Sequence, residues 1–247
     1  MTFPLAEFYK KIYKRYDLVN TLFTFGLDKK WREKTAKEVI KDNSAEILDL
    51  CCGTGKLTFK LSGLLGNKKK IRGYDFSKEM LDIARQEAAS KNLTNIEFVQ
   101  GDVAQMPFND NEIDVIGITF GFRNLTYNNN HENKHISEIL RVLKPGGKLV
   151  ILESGSPANV LIRFFYVLYL FMFLVPLGFV ITGNFKAYFY LALSSRKYYT
   201  RQQMKLLLKS FGFSMIKVEK FMLGATNLFV AEKPLNHNDI GEPGNQE

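Results

Sequence analysis

Cysteine and histidine are scarce in this chain of 247 residues. The only two cysteines, Cys51 and Cys52, are adjacent, which gives neither a disulfide framework nor the spacing of a zinc site. We expect them to be reduced, small, core-type side chains. The three histidines, His131, His135 and His237, are scattered, and no companion ligands accompany the two that lie one helical turn apart. The sequence therefore predicts no metal site.

The N-terminus, MTFPLAEFYKK, lacks the leading positive charge and the apolar run of a secretory signal, which favours a cytoplasmic protein. Composition is ordinary for a globular chain, with 46% hydrophobic and 24% charged residues, and the length suits one α/β domain with an elaboration. The net charge of +9 favours a polyanionic neighbour, either nucleic acid or an anionic membrane surface. Charge alone does not choose between them.

Charge is absent from a stretch of nineteen residues between Phe164 and Thr182, FFYVLYLFMFLVPLGFVIT. A helix of that length would cross roughly 30 Å of hydrocarbon at about 1.5 Å per residue. Strand-like runs lie before and after it, and a single crossing would separate them and leave a sheet edge unpaired. Pro176 and Gly178 are expected to break the helix in its second half. A buried structural helix and a lid over an apolar pocket remain as alternatives.

Short apolar runs alternate with helical patterns along most of the chain. The predicted strands are EILDL, IRGYDF, NIEFVQG, IDVIGITF and KLVILE, followed later by FSMIKVEKF and NLFVAEK. The predicted helices between them are KLTFKLSGLL, SKEMLDIARQEAA and ENKHISEILRVLK, with a later one over residues 201–211. This alternation predicts an α/β fold with a parallel sheet covered on both faces. Pro145, Gly146 and Gly147 are expected to turn the third helix into the fifth strand.

The chain divides by pattern into three parts. Two basic, aromatic segments, FYKKIYKRYDLVN and DKKWREKTAKEVI, are patterned as amphipathic helices and predict an N-terminal helical cap over residues 1–44. Residues 45–234 form the predicted α/β domain. Residues 235–247 are polar with Gly and Pro, and we expect them to be disordered.

Three successive strand ends carry residues suited to a ligand. Asp49 is followed by Gly53 and Gly55 before a helix begins, which allows the backbone to approach a ligand closely. Asp75 ends the second predicted strand and Asp102 the third, the usual ligand crevice of such sheets. Each aspartate alone is also explained as a helix cap. The loop fits neither a dinucleotide fingerprint nor a Walker loop.

The motifs DLCCGTGKLT, GYD, GDVAQMPF and LRVLKPGGKLVILE resemble those of class I S-adenosylmethionine-dependent methyltransferases. More narrowly, YDLVNTLFTFGLDKKWR, FGFRNLT, LKPGGKLVILE, VPLG and YFYLALS resemble the ubiquinone/menaquinone C-methyltransferases, over nearly residues 8 to 211. The resemblance implies S-adenosylmethionine as cofactor. It also implies a Rossmann-like, seven-stranded, mostly parallel sheet with an antiparallel last strand, an N-terminal helical cap, and an apolar helical lid over residues 156–199, inserted after strand 5.

The resemblance also assigns residues to the cofactor. The family's contacts correspond to Thr58, Asp75, Asp102, Val103 and Thr119 of this chain. They join Asp49, Gly53 and Gly55 of the loop as the predicted cofactor-binding set. The chain departs from the family at Cys51, where Gly or Ala is usual, and near its C-terminus, where FMLGATNLFVAEKP lacks a histidine common in bacterial members.

The implied reaction is C-methylation of a polyprenylated quinol ring, either demethylmenaquinol or a related benzoquinol. A quinone is too electron-poor to accept the methyl group, whereas a hydroquinol that loses a hydroxyl proton is nucleophilic enough. Arg123 and Asn124 in FGFRN are expected to steady the phenolate, and Tyr188 in YFYLALS is a further candidate for contact with the ring hydroxyl. Alternatively, Arg123 pairs with a structural carboxylate and Tyr188 only packs. The sequence identifies no general base, and we expect Arg123→Ala to keep cofactor affinity and lose turnover.

The predicted partners are a lipophilic quinol and an anionic membrane. Aromatic side chains of the lid suit a groove for a polyprenyl tail, and a lid that dips into the interface would hold the enzyme peripherally on the inner face of the membrane. The basic residues Lys10, Lys11, Lys14 and Arg15 would each add about 1 kcal/mol of attraction to the anionic leaflet.

Other functions stay open at this point. A nucleic-acid methyltransferase is disfavoured because the chain lacks an Asn/Asp-Pro-Pro-aromatic run after the fourth strand and a cysteine near the acceptor. A membrane-associated scaffold with a relic cofactor pocket is disfavoured by the intact aspartates and glycines. A methyltransferase of another small lipid, such as a sterol or chlorin, is the strongest alternative. Assembly as a homo-oligomer, or within a complex of quinone-biosynthesis enzymes, is left open.

Overall fold

The computed structural model describes residues 15, 17–42 and 44–235. Strands and helices alternate as the sequence predicts. The strands are β1 (Ile47–Leu50), β2 (Ile71–Asp75), β3 (Ile96–Gln100), β4 (Ile113–Thr119), β5 (Leu143–Ser154), β6 (Ser214–Phe221) and β7 (Thr226–Glu232).

The helices precede, link and follow these strands. They are α1 (residues 17–23), α2 (Leu27–Val39), α3 (Lys56–Leu65), α4 (Lys78–Ser90), α5 (Phe122–Thr126), α6 (Glu132–Val142), α7 (Val160–Tyr169), α8 (Val175–Thr182), α9 (Phe185–Lys197) and α10 (Arg201–Ser210). A π-helical turn, Leu170–Leu174, joins α7 to α8.

All seven strands form one sheet in the order β3-β2-β1-β4-β5-β7-β6. The pairs among β1 to β5 are parallel, and Ile47 at the centre lies between Ile71 of β2 and Val115 of β4. The last strand, β7, runs antiparallel to both of its neighbours. The predicted fold class is therefore confirmed, including the antiparallel last strand.

The sheet is covered on both faces because alternate strand residues point to opposite sides. Leu48 and Leu50 belong to a cluster that includes residues of α6 and α10, whereas Ile47 belongs to a second cluster that includes residues of α2 and α3. The carboxyl ends of the parallel strands are left as a rim between these two layers. Such a rim is the usual ligand crevice of an open α/β sheet.

Pro145, Gly146 and Gly147 lie within β5 rather than in a turn before it. α6 ends at Val142 and β5 begins at the next residue. The register with β4 shifts at this point, which marks a bulge, and Gly146 has a φ of 73°. A glycine accommodates that left-handed backbone without a steric penalty.

α7, the π-helical turn and α8 form one helix of 23 residues from Val160 to Thr182. The prediction that Pro176 and Gly178 break it is wrong. In the π-helical turn the Val175 N–H donates to the Leu170 carbonyl, so Pro176 falls in the first turn of α8, where its missing N–H is tolerated. The helix ends at Gly183, which has a φ of 72°.

This helix, with α9, makes up most of the lid, residues 156–199. It is the one helix of the described ranges long and apolar enough to cross a membrane, and 22% of its apolar window is buried. A wholly buried structural helix is therefore ruled out. The lid begins after β5, and its first and last residues are joined where the Ser156 N–H donates to the Tyr199 carbonyl at 3.2 Å, so the two ends of the lid lie on the same side of the protein.

The buried side of the lid packs on the N-terminal part of the chain. Leu170 and Leu174 belong to one cluster with Tyr188 of α9, Val19 of α1 and Met80 of α4. Arg15 donates from its guanidinium to the Ile181 carbonyl near the end of α8. Lys10, Lys11, Lys14 and the predicted tail from residue 236 onward lie outside the described residues. The division into cap, domain and tail stays a prediction.

Candidate active site

A cavity of about 370 Å³ lies at the carboxyl ends of β1 to β4. This volume is within the roughly 300 to 1,000 Å³ common for small-molecule sites. Of the predicted cofactor-binding residues, five line its wall: Gly53, Asp75, Asp102, Val103 and Thr119. The fold therefore brings together residues from four separate strand ends. We call this space the cofactor cavity.

The Asp75 carboxylate organises the loop after β1. It is 6% exposed, and its two oxygens accept hydrogen bonds from the backbone N–H groups of Gly53 and Ser77, each at 2.9 Å. A carboxylate oxygen accepts more than one hydrogen bond, so both oxygens keep capacity for the hydroxyls of a ribose. Burial raises the pKa of Asp75 above its usual value.

Asp49, Gly55 and Thr58 support the loop instead of lining the cofactor cavity. One oxygen of Asp49, Oδ2, accepts from the Thr58 backbone N–H at 2.9 Å and from the Thr58 hydroxyl at 2.5 Å. The other, Oδ1, is buried and has no partner among the described residues. Burial raises the pKa of Asp49 to about 7. Gly55 begins α3 with a φ of 78°. Direct cofactor contact by these three residues stays a prediction.

The adjacent cysteines also belong to this loop. Burial, with the nearby Asp49 and Asp75 charges, raises the pKa of both Cys51 and Cys52 well above the usual range. A thiol with a raised pKa stays protonated and is a poor nucleophile. The cysteines therefore do not support a covalent thiolate mechanism.

His135 is a cavity residue that the sequence did not reveal. It lies in α6, is buried, and lines the cofactor cavity with its Nε2 3.9 Å from Asp102 Oδ1. Its Nδ1 is 2.9 Å from the Leu125 carbonyl oxygen, which only accepts, so Nδ1 carries the hydrogen. The other ring nitrogen, Nε2, faces the cavity wall. Asp102 itself accepts from the Ala104 N–H at 2.9 Å.

The lining fits S-adenosylmethionine. Asp75 offers carboxylate oxygens to hydroxyl groups, while Val103 and Leu125 provide apolar surface for a flat base. The loop around Gly53 runs into the N-terminus of α3, where the helix dipole favours negative charge such as a carboxylate. Donors, acceptors and apolar surface are thus all present in one cavity.

A second, smaller cavity of about 70 Å³ lies between the sheet and the lid. Phe120, just after β4, lines both cavities, so the two meet at this residue. The lid contributes Tyr166, Tyr169, Leu170, Leu174, Leu191 and Ser195 to the wall. The sheet side contributes Arg123 and Glu153, and the N-terminal helices contribute Asp28. We call this space the acceptor cavity.

Arg123 places a buried positive charge on the acceptor cavity. It is 6% exposed, and its guanidinium donates to the hydroxyls of Ser195 in the lid and Ser154 at the end of β5. Its backbone N–H donates to Glu153 Oε2 at 3.1 Å. Tyr166 adds a hydroxyl bonded to Ser195, and burial raises the pKa of Tyr166 to about 12.

The other two predicted catalytic residues lie elsewhere. Asn124 lines the cofactor cavity, and its backbone carbonyl accepts from Asn129 at 2.9 Å. Tyr188 is fully buried against Gly178 in the lid cluster and is absent from the lining of both cavities. Catalytic roles for Arg123, Asn124 and Tyr188 stay predictions.

Asp28 and Arg32 are site residues that sequence reasoning missed. Opposite charges one helical turn apart usually mark a solvated helix face, whereas both side chains are buried here. The one sequence feature that could have indicated their burial is their position among the apolar residues of the helical segment DKKWREKTAKEVI. Glu153 and Tyr166 were missed because they belong to elements far apart in the chain.

Comparison with known proteins agrees with the fold and with the cofactor that the sequence implies. The ubiE/COQ5 methyltransferase family matches residues 4–233. A demethylmenaquinone methyltransferase of Geobacillus sp. (strain WCH70) is 33% identical over 91% of this chain and 94% of its own length. One of Bacillus cereus (strain B4264) is 31% identical over 92% and 94%.

Solved structures share the fold at lower identity. An S-adenosylmethionine-dependent methyltransferase of Methanococcus maripaludis, described as putative, is similar with a TM-score of 0.62 at 23% identity, over 96% of this chain and 99% of that one. One from Aquifex aeolicus has a TM-score of 0.55 at 21% identity, over 80% and 88%. The chain therefore belongs to the ubiE/COQ5 methyltransferase family and is an S-adenosylmethionine-dependent C-methyltransferase.

Proposed function

We propose that the enzyme methylates a ring carbon of a polyprenylated quinol, demethylmenaquinol or a related benzoquinol, in respiratory quinone biosynthesis. The observation that carries this proposal is the acceptor cavity, which meets the cofactor cavity at Phe120 and combines an apolar lid wall with the buried charge of Arg123. A ring hydroxyl that loses its proton needs such a charge, and a prenyl tail needs such a wall. The relatives named as demethylmenaquinone methyltransferases support the same substrate class.

When bound, S-adenosylmethionine supplies the methyl group, and its sulfur keeps the electron pair of the broken bond. Asp75 would hold its ribose, with Val103 and Leu125 beside its base. Phe120 separates the two cavities and orients the acceptor ring toward the methyl group. Arg123 stabilises negative charge on the ring oxygen. The lid keeps water away, which strengthens that interaction.

The acceptor cavity is too small for a substituted bicyclic ring while the lid stays in place. Its volume of about 70 Å³ compares with the roughly 300 Å³ at the lower end of ligand sites. Substrate entry therefore requires the lid helix to move away from α1. The contacts that resist this motion include the stacked rings of Phe23 and Tyr169, 4.9 Å apart.

The outer surface of the lid supports peripheral contact with the inner face of an anionic membrane. Large apolar side chains are exposed along it, and they form what we call the apolar face: Val160, Leu161, Phe164, Phe165, Leu168, Met172, Phe173, Phe179, Val180, Phe185 and Phe189. Contiguous exposed apolar surface of this kind marks an interaction site. It would let a membrane-dissolved quinol reach the lid directly.

Charge around the apolar face suits the same partner. Between Glu153 and Glu219 the chain has no acidic residue, and it has eight basic ones: Arg163, Lys186, Arg196, Lys197, Arg201, Lys205, Lys209 and Lys217. Basic residues near a membrane surface are attracted to anionic lipids by about 1 kcal/mol each. Apolar and electrostatic attraction therefore come from the same part of the chain.

A substitution that fills the acceptor cavity tests where the quinol binds. Ala225 is buried and lines this cavity, so Ala225→Leu places an isopropyl group in it. We expect transfer of labelled methyl groups to reduced demethylmenaquinone to fall about tenfold or more, with cofactor affinity by calorimetry unchanged. Ala89→Leu on the exposed side of α4 is the matched control and should leave both quantities unchanged. Equal transfer by the two variants would place the substrate elsewhere.

A further inference from the structure

Asp28 lies on the wall at which the two cavities meet. It is in the first turn of α2, is 2% exposed, and lines the acceptor cavity. Arg32, one helical turn further on, forms an ion pair with it and lines the cofactor cavity. The Arg32 guanidinium lies 5.2 Å from the centre of the Phe120 ring, the residue common to both cavities. A carboxylate is thus held on the acceptor side of this wall.

One oxygen of Asp28 keeps capacity to accept a hydrogen bond. Arg32 donates to Oδ2. The donor near Oδ1 is the Thr24 hydroxyl at 3.1 Å, but that hydroxyl is only 2.8 Å from the Asn20 carbonyl. A threonine hydroxyl has one hydrogen, and the shorter contact to Asn20 takes it. Oδ1 can therefore accept a hydrogen bond from a hydroxyl group of a molecule in the cavity.

The other titratable groups on the acceptor cavity are less suited to take a proton. Glu153 accepts from the Ser154 N–H and hydroxyl, each at 2.8 Å, and from the Arg123 N–H, so both of its oxygens are engaged. Tyr166 stays neutral because burial raises its pKa to about 12. Tyr169 donates its hydroxyl to the Phe23 carbonyl. Arg123 is a cation and has no lone pair to offer.

We propose that Asp28 is a catalytic residue that takes the proton of the quinol ring hydroxyl, an inference that rests on the proposed function. The O–H bond breaks, the proton bonds to the Asp28 carboxylate, and the electron pair stays on oxygen and delocalises into the ring. The ring carbon then forms the new bond to the methyl group, and the electron pair of the broken C–S bond remains on sulfur.

Loss of the second proton completes the reaction. The methylated ring carbon gives its hydrogen as a proton to water, and the electron pair of that C–H bond restores the aromatic ring. The ring oxygen, carbonyl-like until that step, becomes a phenolate oxygen again and takes its proton back from Asp28. One proton is released for each methyl group transferred, and Asp28 ends as the carboxylate. Proton transfer from a phenol to a carboxylate is uphill in water, and the charge of Arg123 on the same cavity offsets this by stabilising the phenolate.

The test is Asp28→Asn, which keeps the side-chain shape but does not accept a proton. Cofactor affinity and melting temperature are measured first; the affinity should stay close to wild type, and the melting temperature should fall because the buried Arg32 loses the charge that pairs with it. Turnover is then measured on reduced quinols whose ring hydroxyls differ in pKa through halogen substituents. We expect turnover on the least acidic quinol to fall about a hundredfold or more, the usual range for loss of a general base. The deficit should shrink as the quinol becomes acidic enough to ionise by itself.

Thr24→Val is the matched control, because it removes the neighbouring hydroxyl and keeps the carboxylate. Its turnover, relative to wild type, should not vary with quinol acidity. If the deficit of Asp28→Asn is the same for every quinol, or less than about threefold, Asp28 is not the proton acceptor. If the Asn variant does not fold, Asp28→Ser is taken through the same series with the same two outcomes. Absence of transfer to any quinol by the wild type would overturn the proposed function itself, and this inference with it.

Discussion

At the scale of single residues, the cofactor loop depends on carboxylates that are costly to bury. Asp49 is the next-to-last residue of β1 and Asp75 is the last residue of β2, and both are almost fully buried. Each accepts two hydrogen bonds, Asp49 from Thr58 and Asp75 from Gly53 and Ser77, which offsets part of the desolvation cost. Asp49 remains the less satisfied of the two, because its Oδ1 has no partner among the described residues.

This burial makes stability depend on pH. The pKa of Asp49 rises from an ordinary value of 3.8 to about 7, mainly through desolvation, while the Thr58 hydrogen bonds oppose the rise. Between those two values the folded chain holds more protons at Asp49 than the unfolded chain does. The contribution of this group to stability is therefore present at low pH and is lost as the pH rises toward and through about 7.

Asp49→Asn should remove that dependence. The amide oxygen still accepts from Thr58, and the uncharged NH₂ group takes the place of the unpartnered oxygen. We expect the melting temperature of the variant, relative to wild type and without cofactor, to rise as the pH increases from 3.8 toward about 7 and to level off above that value. The free-energy difference should grow by about 1.4 kcal/mol for each pH unit within the titrating window. A difference that does not change with pH would show that the Asp49 pKa is ordinary.

At the scale of elements, the sequence predicted the strands better than the lid. β1 to β4 were placed almost to the residue because each is a short apolar run bounded by polar or turn residues. The lid helix was predicted to break at Pro176, since sequence pattern does not show a π-helical turn, here Leu170–Leu174, that lets the helix continue. The sequence also did not predict that one side of the helix is exposed, because an apolar run has the same composition in a buried helix and in a surface helix.

The sequence predicted the site residues only where those residues come directly after the ends of strands. Asp75 and Asp102 follow from the topology of a parallel sheet, since its carboxyl ends share one rim. Asp28 and Tyr166 do not, because they come from a cap helix and the lid, and their approach depends on how those elements pack on the sheet. Tyr188, chosen from its motif, lies in the lid cluster instead, fully buried.

Membrane contact through the lid is testable with two methionines of equal exposure. Met172 on the apolar face is 65% exposed, and Met215 on the edge strand β6 is 62% exposed. Glutamate at position 172 adds a negative charge and a desolvation cost where lipid would lie. We expect Met172→Glu to weaken flotation with anionic vesicles about tenfold or more, while Met215→Glu floats as wild type does. Equal binding by both variants would exclude the apolar face as the membrane contact.

At the scale of the whole molecule, the two cavities and the lid all lie at the same edge of one sheet. The cofactor cavity lies at the ends of β1 to β4. The acceptor cavity is formed jointly by the end of β5, the cap helices and the lid. The first and last parts of the lid are joined by a hydrogen bond from the Ser156 N–H to the Tyr199 carbonyl, so both ends of the lid lie beside the end of β5. Its apolar face therefore points outward while its inner face closes over the acceptor.

The most direct test of the central claim is transfer of labelled methyl groups to a quinol. Purified enzyme in mild detergent is incubated with methyl-labelled S-adenosylmethionine and either chemically reduced demethylmenaquinone or the unreduced quinone. Asp75→Ala serves as the control that removes the predicted ribose contact. The account predicts label in the reduced lipid alone, and little label with the variant. Cofactor binding without label in any quinol, or equal label in quinone and quinol, would contradict it.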